Sequence, residues 1–428
     1  MEKFVIEGGH KLAGTVRPGG SKNEALPCLA ATLLTDEKVT LHNVPRIADV
    51  LVMLEVMQAL GGSHEWTGEN TVVIENKNVN TTKLDRELCK KVRASILFAG
   101  AMLGRSGKCE LPPPGGDVIG RRRLDTHFLA LEALNAKIEV HQDGFIMSTP
   151  KLEGTEIFMD EASVTATENA IMAAVVAQGT TVIRNAACEP HVQGLCRMLI
   201  QMGARIQGIG TNILTIEGTK GLWGCEHTIG PDYLEIGSLA GLAAVTGSEL
   251  IIEGIVPDDL RMIRLVFKKM GVRMEFKGND LLIPAEQELR IENDLNNAIP
   301  KIDDAPWPAF PTDLMSIAIT VATQSVGTVL FFEKMFEGRM FFVDSLIAMG
   351  AKIVFCDPHR VVVVGPSQLY GSTLESPDVR AGMSLLIAAL CAQGTSTIYN
   401  IRQIDRGYEK IDEKLKALGA KIERLPVE

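Results

Sequence analysis

A phrase that closes a helix recurs six times along the chain: Leu60-Gly61-Gly62, Leu134-Asn135-Ala136, Met202-Gly203-Ala204, Met270-Gly271-Val272, Met349-Gly350-Ala351 and Leu418-Gly419-Ala420. Its middle residues, 61, 135, 203, 271, 350 and 419, lie 74, 68, 68, 79 and 69 positions apart. Six units of about 70 residues follow. A unit that small cannot cover both faces of its own sheet. The units must therefore pack on one another, and three to a lobe makes two globes of about 200 residues each. Two similar lobes imply a cleft.

Local signals give each unit its elements. The spacing predicts a surface helix over 405–419, with Tyr408, Ile411, Leu415 and Leu418 on one face, Asp405 as N-cap and Gly419 as the C′ stop. A sister helix is predicted over 257–271, opened by Pro257 and two aspartates and closed by Lys268, Lys269 and Gly271. Alternating residues at 352–355 and 361–364, split by Asp357-Pro358-His359, read as a hairpin. Stretches such as Ala381 to Ala392 and Ala170 to Ala177 are small and apolar on nearly every side, which predicts buried helices. Each unit thus reads β-α-β-α-β-β.

Composition narrows the function. The 428 residues are 46% apolar, with 43 basic against 53 acidic side chains, a balance of −10. That is too apolar for disorder and too acidic for a nucleic-acid groove, since the longest basic run is Arg121-Arg122-Arg123. No run of about 18 apolar residues exists, so no membrane-spanning helix is expected. The start, Met1-Glu2-Lys3-Phe4, has neither the basic nor the apolar region of an export signal, and a cytoplasmic protein is expected. Eight cysteines (28, 89, 109, 188, 196, 225, 356, 391) are scattered without metal-ligand spacing, so neither a metal nor a disulfide framework is expected. Any anionic ligand must then be met by a few placed cations.

Four segments exceed structural need. Gly19-Gly20-Ser21-Lys22-Asn23-Glu24-Ala25-Leu26-Pro27 is a glycine-rich turn opening the first buried helix, either plain helix initiation or a phosphate cradle with Lys22. Pro112 to His127 sets three prolines beside Gly115-Gly116 and three arginines, either a long solvated loop or a hinged lid. Arg93, Arg339, Arg380 and Arg406 stand at equivalent repeat edges, either as surface ion pairs or converging on a phosphate and a carboxylate. In Pro308-Ala309-Phe310-Pro311-Thr312-Asp313, Asp313 is either an N-cap or a general base.

Taken together, Ser21 to Pro27, Pro114-Gly115-Gly116 with Ile119-Gly120 and Asp125-Thr126-His127, Pro308 to Asp313, and Ile404-Asp405-Arg406-Gly407-Tyr408-Glu409 resemble the UDP-N-acetylglucosamine 1-carboxyvinyltransferases, a group of enolpyruvyl transferases, from end to end. The resemblance implies an α/β fold of two lobes, an inside-out α/β barrel of six β-α-β-α-β-β repeats. It places 1–21 with 232–428 in one lobe and 22–231, with a mobile loop at 111–123, in the other. The implied reaction transfers the enolpyruvyl group of phosphoenolpyruvate to the 3′-hydroxyl of UDP-N-acetylglucosamine, with release of phosphate and no cofactor. By similarity, Lys22, Asn23, Arg122, Arg339, Arg380 and Arg406 meet phosphoenolpyruvate. Asn23, Arg93, Arg122, Arg123, Leu124, Asp125, Thr126, Ser163, Val164, Thr165, Asp313 and Met335 line the nucleotide-sugar site. Asp313 is the expected base, Lys22 and Arg406 the expected catalytic cations, and Asp49 and Asp378 support them.

The chain departs from the family at the loop, where the usual cysteine, the target of the epoxide antibiotic fosfomycin, is replaced by Asp117. Asp117 is then the expected general acid, and fosfomycin insensitivity is expected with it. Arg121 and Arg123 replace a small residue and a proline, and Glu161-Ala162 stands where a Lys-Val pair is frequent. Two rivals remain: the sister enzyme that uses shikimate 3-phosphate, which lacks this loop, and a silent paralogue that only binds the nucleotide sugar. Oligomeric state and feedback by a downstream product stay open.

Overall fold

The computed structural model describes every residue except Met1, Asp117, Val118, Arg121 and Glu428. The chain divides into two compact units. The C-unit comprises Met1–Gly19, Val118–Arg121 and Pro231–Glu428, and the N-unit Gly20–Asp117 and Arg122–Gly230.

The recurrent phrase has one backbone meaning. All six middle residues, Gly61, Asn135, Gly203, Gly271, Gly350 and Gly419, take positive φ, from 74° to 108°. A side chain there would crowd its own carbonyl, so glycine serves five times, and asparagine, which tolerates the left-handed region, serves once. Each follows a helix and turns the chain into the next strand.

One repeat shows the pattern of all. Strand Glu156–Phe158, helix Val164–Ala174, strand Thr180–Arg184, helix Pro190–Gln201 and the hairpin Arg205–Gln207 with Ile213–Glu217 form a single sheet. Its second strand lies between the first, which is parallel, and the fourth, which is antiparallel, and the third takes the edge. Five four-stranded sheets share this order. The sixth has three strands, Lys108–Leu111, Lys137–His141 and Gly144–Ser148, and a lone bridge from Lys83 to Glu110 stands where its first strand would be. Distant segments complete three others. Glu2–Glu7 pairs with Thr395–Tyr399 and Lys421–Pro426, Ala13–Val16 runs parallel to Glu249–Glu253, and Glu226–Thr228 runs parallel to Val39–His42.

In each unit three helices pack on one another inside three sheets. They are Lys22–Ala31, Phe98–Ser106 and Val164–Ala174 in the N-unit, and Tyr233–Thr246, Met315–Gln324 and Val379–Cys391 in the C-unit. These helices are buried on nearly every side, and each group anchors its own hydrophobic core. Small residues let the axes approach: a Cβ on Gly100 would stand 2.4 Å from the carbonyl oxygen of Asn169 on the facing helix. No helix among the described residues is long and apolar enough to cross a membrane.

The surface helix predicted over 405–419 is broken. Helix Arg402–Asp405 ends, Lys410 takes a left-handed φ of 48°, and helix Ile411–Ala417 begins. Asp405 is not its N-cap but binds Arg424 through both oxygens, at 2.8 and 2.9 Å. The apolar spacing persisted because Tyr408 is fully buried beneath the turn rather than on a helix face. Similarly, Pro257–Leu260 is a 3-10 turn that precedes helix Arg261–Lys269.

A second periodic mark escaped the sequence reading. Asn43, Asn185 and Asn400 follow the second strands of their repeats with φ of 55°, 58° and 55°. Each donates its side-chain amide, at 2.9 Å, to a carbonyl just beyond the first strand: Ile229, Met159 and Ser376. In two repeats Pro112 and Glu333 occupy this place, and the two loops that carry the candidate site leave from there.

Candidate active site

In the C-unit, Asp313 lies in the 3-10 turn Thr312–Leu314 that opens helix Met315–Gln324, so it is not the N-cap, which is Pro311. Its carboxylate accepts from Arg339 Nη2 at 2.6 Å through Oδ1 and from Arg380 Nε at 3.2 Å through Oδ2. Arg380 is the second residue of helix Val379–Cys391 and only 4% exposed. Its guanidinium sits 5.3 Å from the centroid of the Tyr408 ring, and among the described residues its two terminal nitrogens make no hydrogen bond of good geometry. Burial alone would lower the pKa of both arginines. For Arg380, Tyr408 and the carboxylates of Asp313 and Asp232 reverse that, and for Arg339, Asp313, Asp378 and Glu333 do so. Both stay charged. Asp378 caps the same helix, its Oδ1 accepting the N–H groups of Arg380 and Ala381 at 2.8 and 3.0 Å.

The loop that delivers Arg339 is tied down by a carboxyl pair that sequence reasoning did not name. Glu333 is fully buried, and its Oε1 accepts from the Thr312 hydroxyl at 3.0 Å and from the N–H groups of Met335 and Phe336 at 3.1 and 3.0 Å. Asp304, equally buried, accepts the Lys334 N–H at 2.6 Å. Burial and the neighbouring Asp304 push the Glu333 pKa up to about 8, so Glu333 keeps its proton at neutral pH. Arg406 follows helix Arg402–Asp405 and donates to the Gln403 side chain at 3.0 Å. Ile119 also belongs to this unit, its carbonyl accepting the Gly338 N–H at 3.0 Å.

In the N-unit, Lys22 opens helix Lys22–Ala31 with Asn23 beside it, and its Nζ lies 3.3 Å from Asp49 Oδ2, in the first turn of helix Ala48–Ala59. Arg93 meets backbone carbonyls, donating to Arg122 O at 2.8 Å and Arg123 O at 3.4 Å. Burial and the Arg122 charge pull its pKa down to about 10, the mark of a cation short of negative charge. Arg123 pairs with Asp125 at 3.2 Å and Asp160 at 3.0 Å, and Thr126 donates its hydroxyl to Asp160 at 2.6 Å. Leu124 precedes helix Asp125–Ala133. Ser163 is the N-cap of helix Val164–Ala174, which places Val164 and Thr165 in a first turn rich in unsatisfied N–H groups.

The glycine pair read as a hinge is packed. Gly115 donates its N–H to Cys89 O at 3.0 Å, and a Cβ on it would fall 1.7 Å from Lys90 O. Asp117 lies outside the described residues, as does Arg121. Among the described residues one trio, Glu24, Cys28 and His227, offers donor atoms at metal-ligand separations. Its carboxylate is already engaged, Oε1 with His227 Nε2 at 3.0 Å and Oε2 with the Gly230 N–H at 3.1 Å, and burial pushes the Cys28 thiol well up. Glu24 and His227 thus serve as a hydrogen-bonded clasp, with Cys28 buried beside them.

The structure therefore groups the expected residues into two sets. One holds Asp313, Arg339, Arg380 and Asp378 in direct contact, with Met335 and Arg406 on adjoining turns. The other holds Lys22, Asn23, Asp49, Arg93, Arg122 to Thr126 and Ser163 to Thr165 on neighbouring helix starts. Every helix start contributes donors, so each set suits an anion.

Comparison with known proteins bears on this arrangement. Residues 6–415 match the family model of EPSP synthase (3-phosphoshikimate 1-carboxyvinyltransferase). A UDP-N-acetylglucosamine 1-carboxyvinyltransferase of Treponema denticola is 58% identical over 423 residues, 99% of each chain. One from Bradyrhizobium diazoefficiens is 55% identical over 99% of this chain and 98% of its own. Among solved structures, the enolpyruvyl transferase NikO from Streptomyces tendae superposes with a TM-score of 0.88 at 22% identity, over 100% of this chain and 99% of that one. EPSP synthase from Acinetobacter baumannii superposes with a TM-score of 0.75 at 18% identity over the whole of both chains. The fold is the inside-out α/β barrel of these proteins.

Proposed function

We infer the reaction from one premise: the chain belongs to the EPSP synthase family and, within it, to the UDP-N-acetylglucosamine 1-carboxyvinyltransferases. It transfers the enolpyruvyl group of phosphoenolpyruvate to the 3′-hydroxyl of UDP-N-acetylglucosamine, releases phosphate, and so feeds peptidoglycan synthesis. Both substrates are phosphorylated metabolites of the cell interior, and the proposed place of action is the cytoplasm. The observation that carries the reading is Arg380, a guanidinium 4% exposed whose terminal nitrogens make no hydrogen bond of good geometry among the described residues. Buried donors are costly to leave unmatched, and a doubly anionic substrate matches them.

The chemistry proceeds by addition and elimination. A proton is added to the methylene carbon of phosphoenolpyruvate, and the sugar oxygen bonds to the adjacent carbon, its own proton passing to Asp313. Loss of phosphate from the resulting ketal, with loss of a proton from the methyl carbon, restores the double bond. Asp313 suits the base because both its oxygens are held in fixed directions by Arg339 and Arg380. Those arginines, with Lys22, Arg122 and Arg406, supply charge where the phosphate and carboxylate develop it.

Asp117 is the proposed general acid. A free aspartate, pKa about 3.9, is roughly one part in a thousand protonated at pH 7, so this role requires help from desolvation or bound anions. A carboxyl group cannot form the thioether that a cysteine makes with the epoxide, which supports insensitivity to fosfomycin. Phosphate release from phosphoenolpyruvate and UDP-N-acetylglucosamine, measured with and without fosfomycin and with shikimate 3-phosphate as alternative acceptor, tests the whole reading. Turnover undiminished by the epoxide is expected. Turnover abolished by it would remove the account of Asp117, and phosphate release only with shikimate 3-phosphate would remove the acceptor. In an Asp117→Cys variant the pH profile should fall off at higher pH than in the parent, because the thiol keeps its proton longer.

A further inference from the structure

We propose that His127 is a positioning residue that, as its Nε2–H tautomer, turns the hydroxyl proton of Thr165 outward as a donor to the diphosphate of the nucleotide sugar. The inference rests on the functional reading above for its ligand, and on hydrogen-bond polarity for everything else.

The chain of polarity starts at groups whose roles cannot be exchanged. Asn169 Oδ1 accepts from the Gly100 backbone N–H at 2.7 Å, and Asn169 Nδ2 donates to the Ile96 carbonyl at 2.9 Å. Two main-chain partners therefore fix which end of this buried amide is nitrogen. The same Nδ2 stands 2.9 Å from His127 Nδ1 and can only donate to it. His127 Nδ1 must then carry a lone pair, and the ring proton sits on Nε2. Nε2 lies 3.1 Å from Thr165 Oγ1, so the imidazole donates and the threonine oxygen accepts.

Two further observations hold the ring in that state. His127 is 2% exposed, and burial with the nearby Arg93 charge brings its pKa down to about 3, so no imidazolium forms to reverse the polarity. Thr165 makes no other hydrogen bond among the described residues. Its hydroxyl also lacks the usual internal acceptor. Among the described residues it donates to no backbone carbonyl, neither the one three residues back nor the one four back in the turn before helix Val164–Ala174. With its oxygen occupied by the imidazole N–H, the half-buried hydroxyl presents its proton beside the first-turn N–H groups, where a phosphate oxygen would be bound.

The test reads tautomer and ligand separately. Nitrogen-15 spectra of the full chain should show His127 as the neutral Nε2–H tautomer throughout about pH 5 to 8. An Nδ1–H tautomer or an imidazolium signal overturns the proposal without any substrate present. Thr165→Val should raise KM for UDP-N-acetylglucosamine about tenfold or more, the loss of one hydrogen bond to a charged group, with KM for phosphoenolpyruvate unmoved. His127→Phe should do the same, and the double variant should add little to either single change. Additive losses, or a Thr165→Val enzyme with the parental KM, overturn the proposal while leaving the reaction intact. If UDP-N-acetylglucosamine neither binds nor turns over in the parent protein, both the reaction and this role for Thr165 fall.

Discussion

The two units share a repeat and differ in how they hold a site. The C-unit places its residues by charge: Asp313 lies between Arg339 and Arg380, and Asp378 caps the helix that carries one of them. The N-unit also pairs charges, Lys22 with Asp49 and Arg123 with Asp125 and Asp160, but it places two of its residues by neutral groups. Arg93 hangs on two carbonyls, and the His127 ring is fixed by an amide. Buried ion pairs are rigid but fail badly when one partner is removed, whereas neutral contacts lose about one hydrogen bond at a time. One repeat unit can thus supply a brittle half and a tolerant half.

The largest break should come from Asp313→Asn. Loss of the base should lower kcat about 10² to 10⁴-fold, and two buried guanidinium groups left facing an amide should cost stability as well, about 3–5 kcal/mol. Steady-state kinetics and a thermal melt read the two effects. A kcat within tenfold of the parent would rule Asp313 out as the base. The N-unit counterpart, Arg93→Gln, should melt closer to the parent and show its effect mainly as a rise in KM for UDP-N-acetylglucosamine of about tenfold. If Arg93→Gln destabilises as much as Asp313→Asn, the contrast between the units is gone.

How much of this was legible depended on where each constraint lives. The six helix-closing phrases could be read because a left-handed backbone residue leaves its mark on residue type, as Gly61 and Asn135 both show. The asparagines at 43, 185 and 400 carry the same mark once per repeat, but without the glycine signal they read as ordinary turn residues. The helix over 405–419 was misread because Tyr408 keeps helical spacing while lying in a turn. That turn is imposed by the neighbouring helix, where a Cβ on Gly407 would meet Val379 Cγ1 at 2.3 Å. Arginines at repeat edges were visible as excess charge. The groups that orient the site, Glu333 with Asp304 and His127 with Asn169, were not, because each pair is joined by tertiary packing across 29 or 42 positions of chain.

The Glu333 and Asp304 pair gives the C-unit a pH signature. Glu333 has a folded pKa of about 8 against an ordinary value of 4.5, so the folded state holds a proton that the unfolded state releases first. That contribution to stability is fully present below about pH 4.5 and is lost as pH rises to about 8. In Glu333→Gln the amide keeps an acceptor for Thr312 and a donor for Asp304 but does not titrate. The melting temperature of the parent should therefore fall relative to the variant across this window. A parent-minus-variant difference that stays constant with pH would show that Glu333 does not hold its proton in the folded state.

The smallest effect separates structure from recognition on the N-unit surface. Arg123 is 40% exposed and pairs with Asp125, 59% exposed, and Asp160, 36% exposed. Exposed pairs of this kind contribute little, so Arg123→Gln should leave the melting temperature almost unchanged. Its neighbours make the change informative. Asp160 also accepts from Thr126, so it keeps a partner when the arginine is lost, and the start of helix Asp125–Ala133 should stay in place. By the resemblance read in the sequence, Arg123 is also expected to be a departure from the family's usual loop sequence. If Arg123 contacts the nucleotide sugar, KM for UDP-N-acetylglucosamine should rise about two- to fivefold, and the rise should shrink at high salt because the charge is solvated. An unchanged KM at low salt would make Arg123 a surface ion-pair partner only and leave diphosphate recognition to Arg93, Arg122 and the first turn of helix Val164–Ala174.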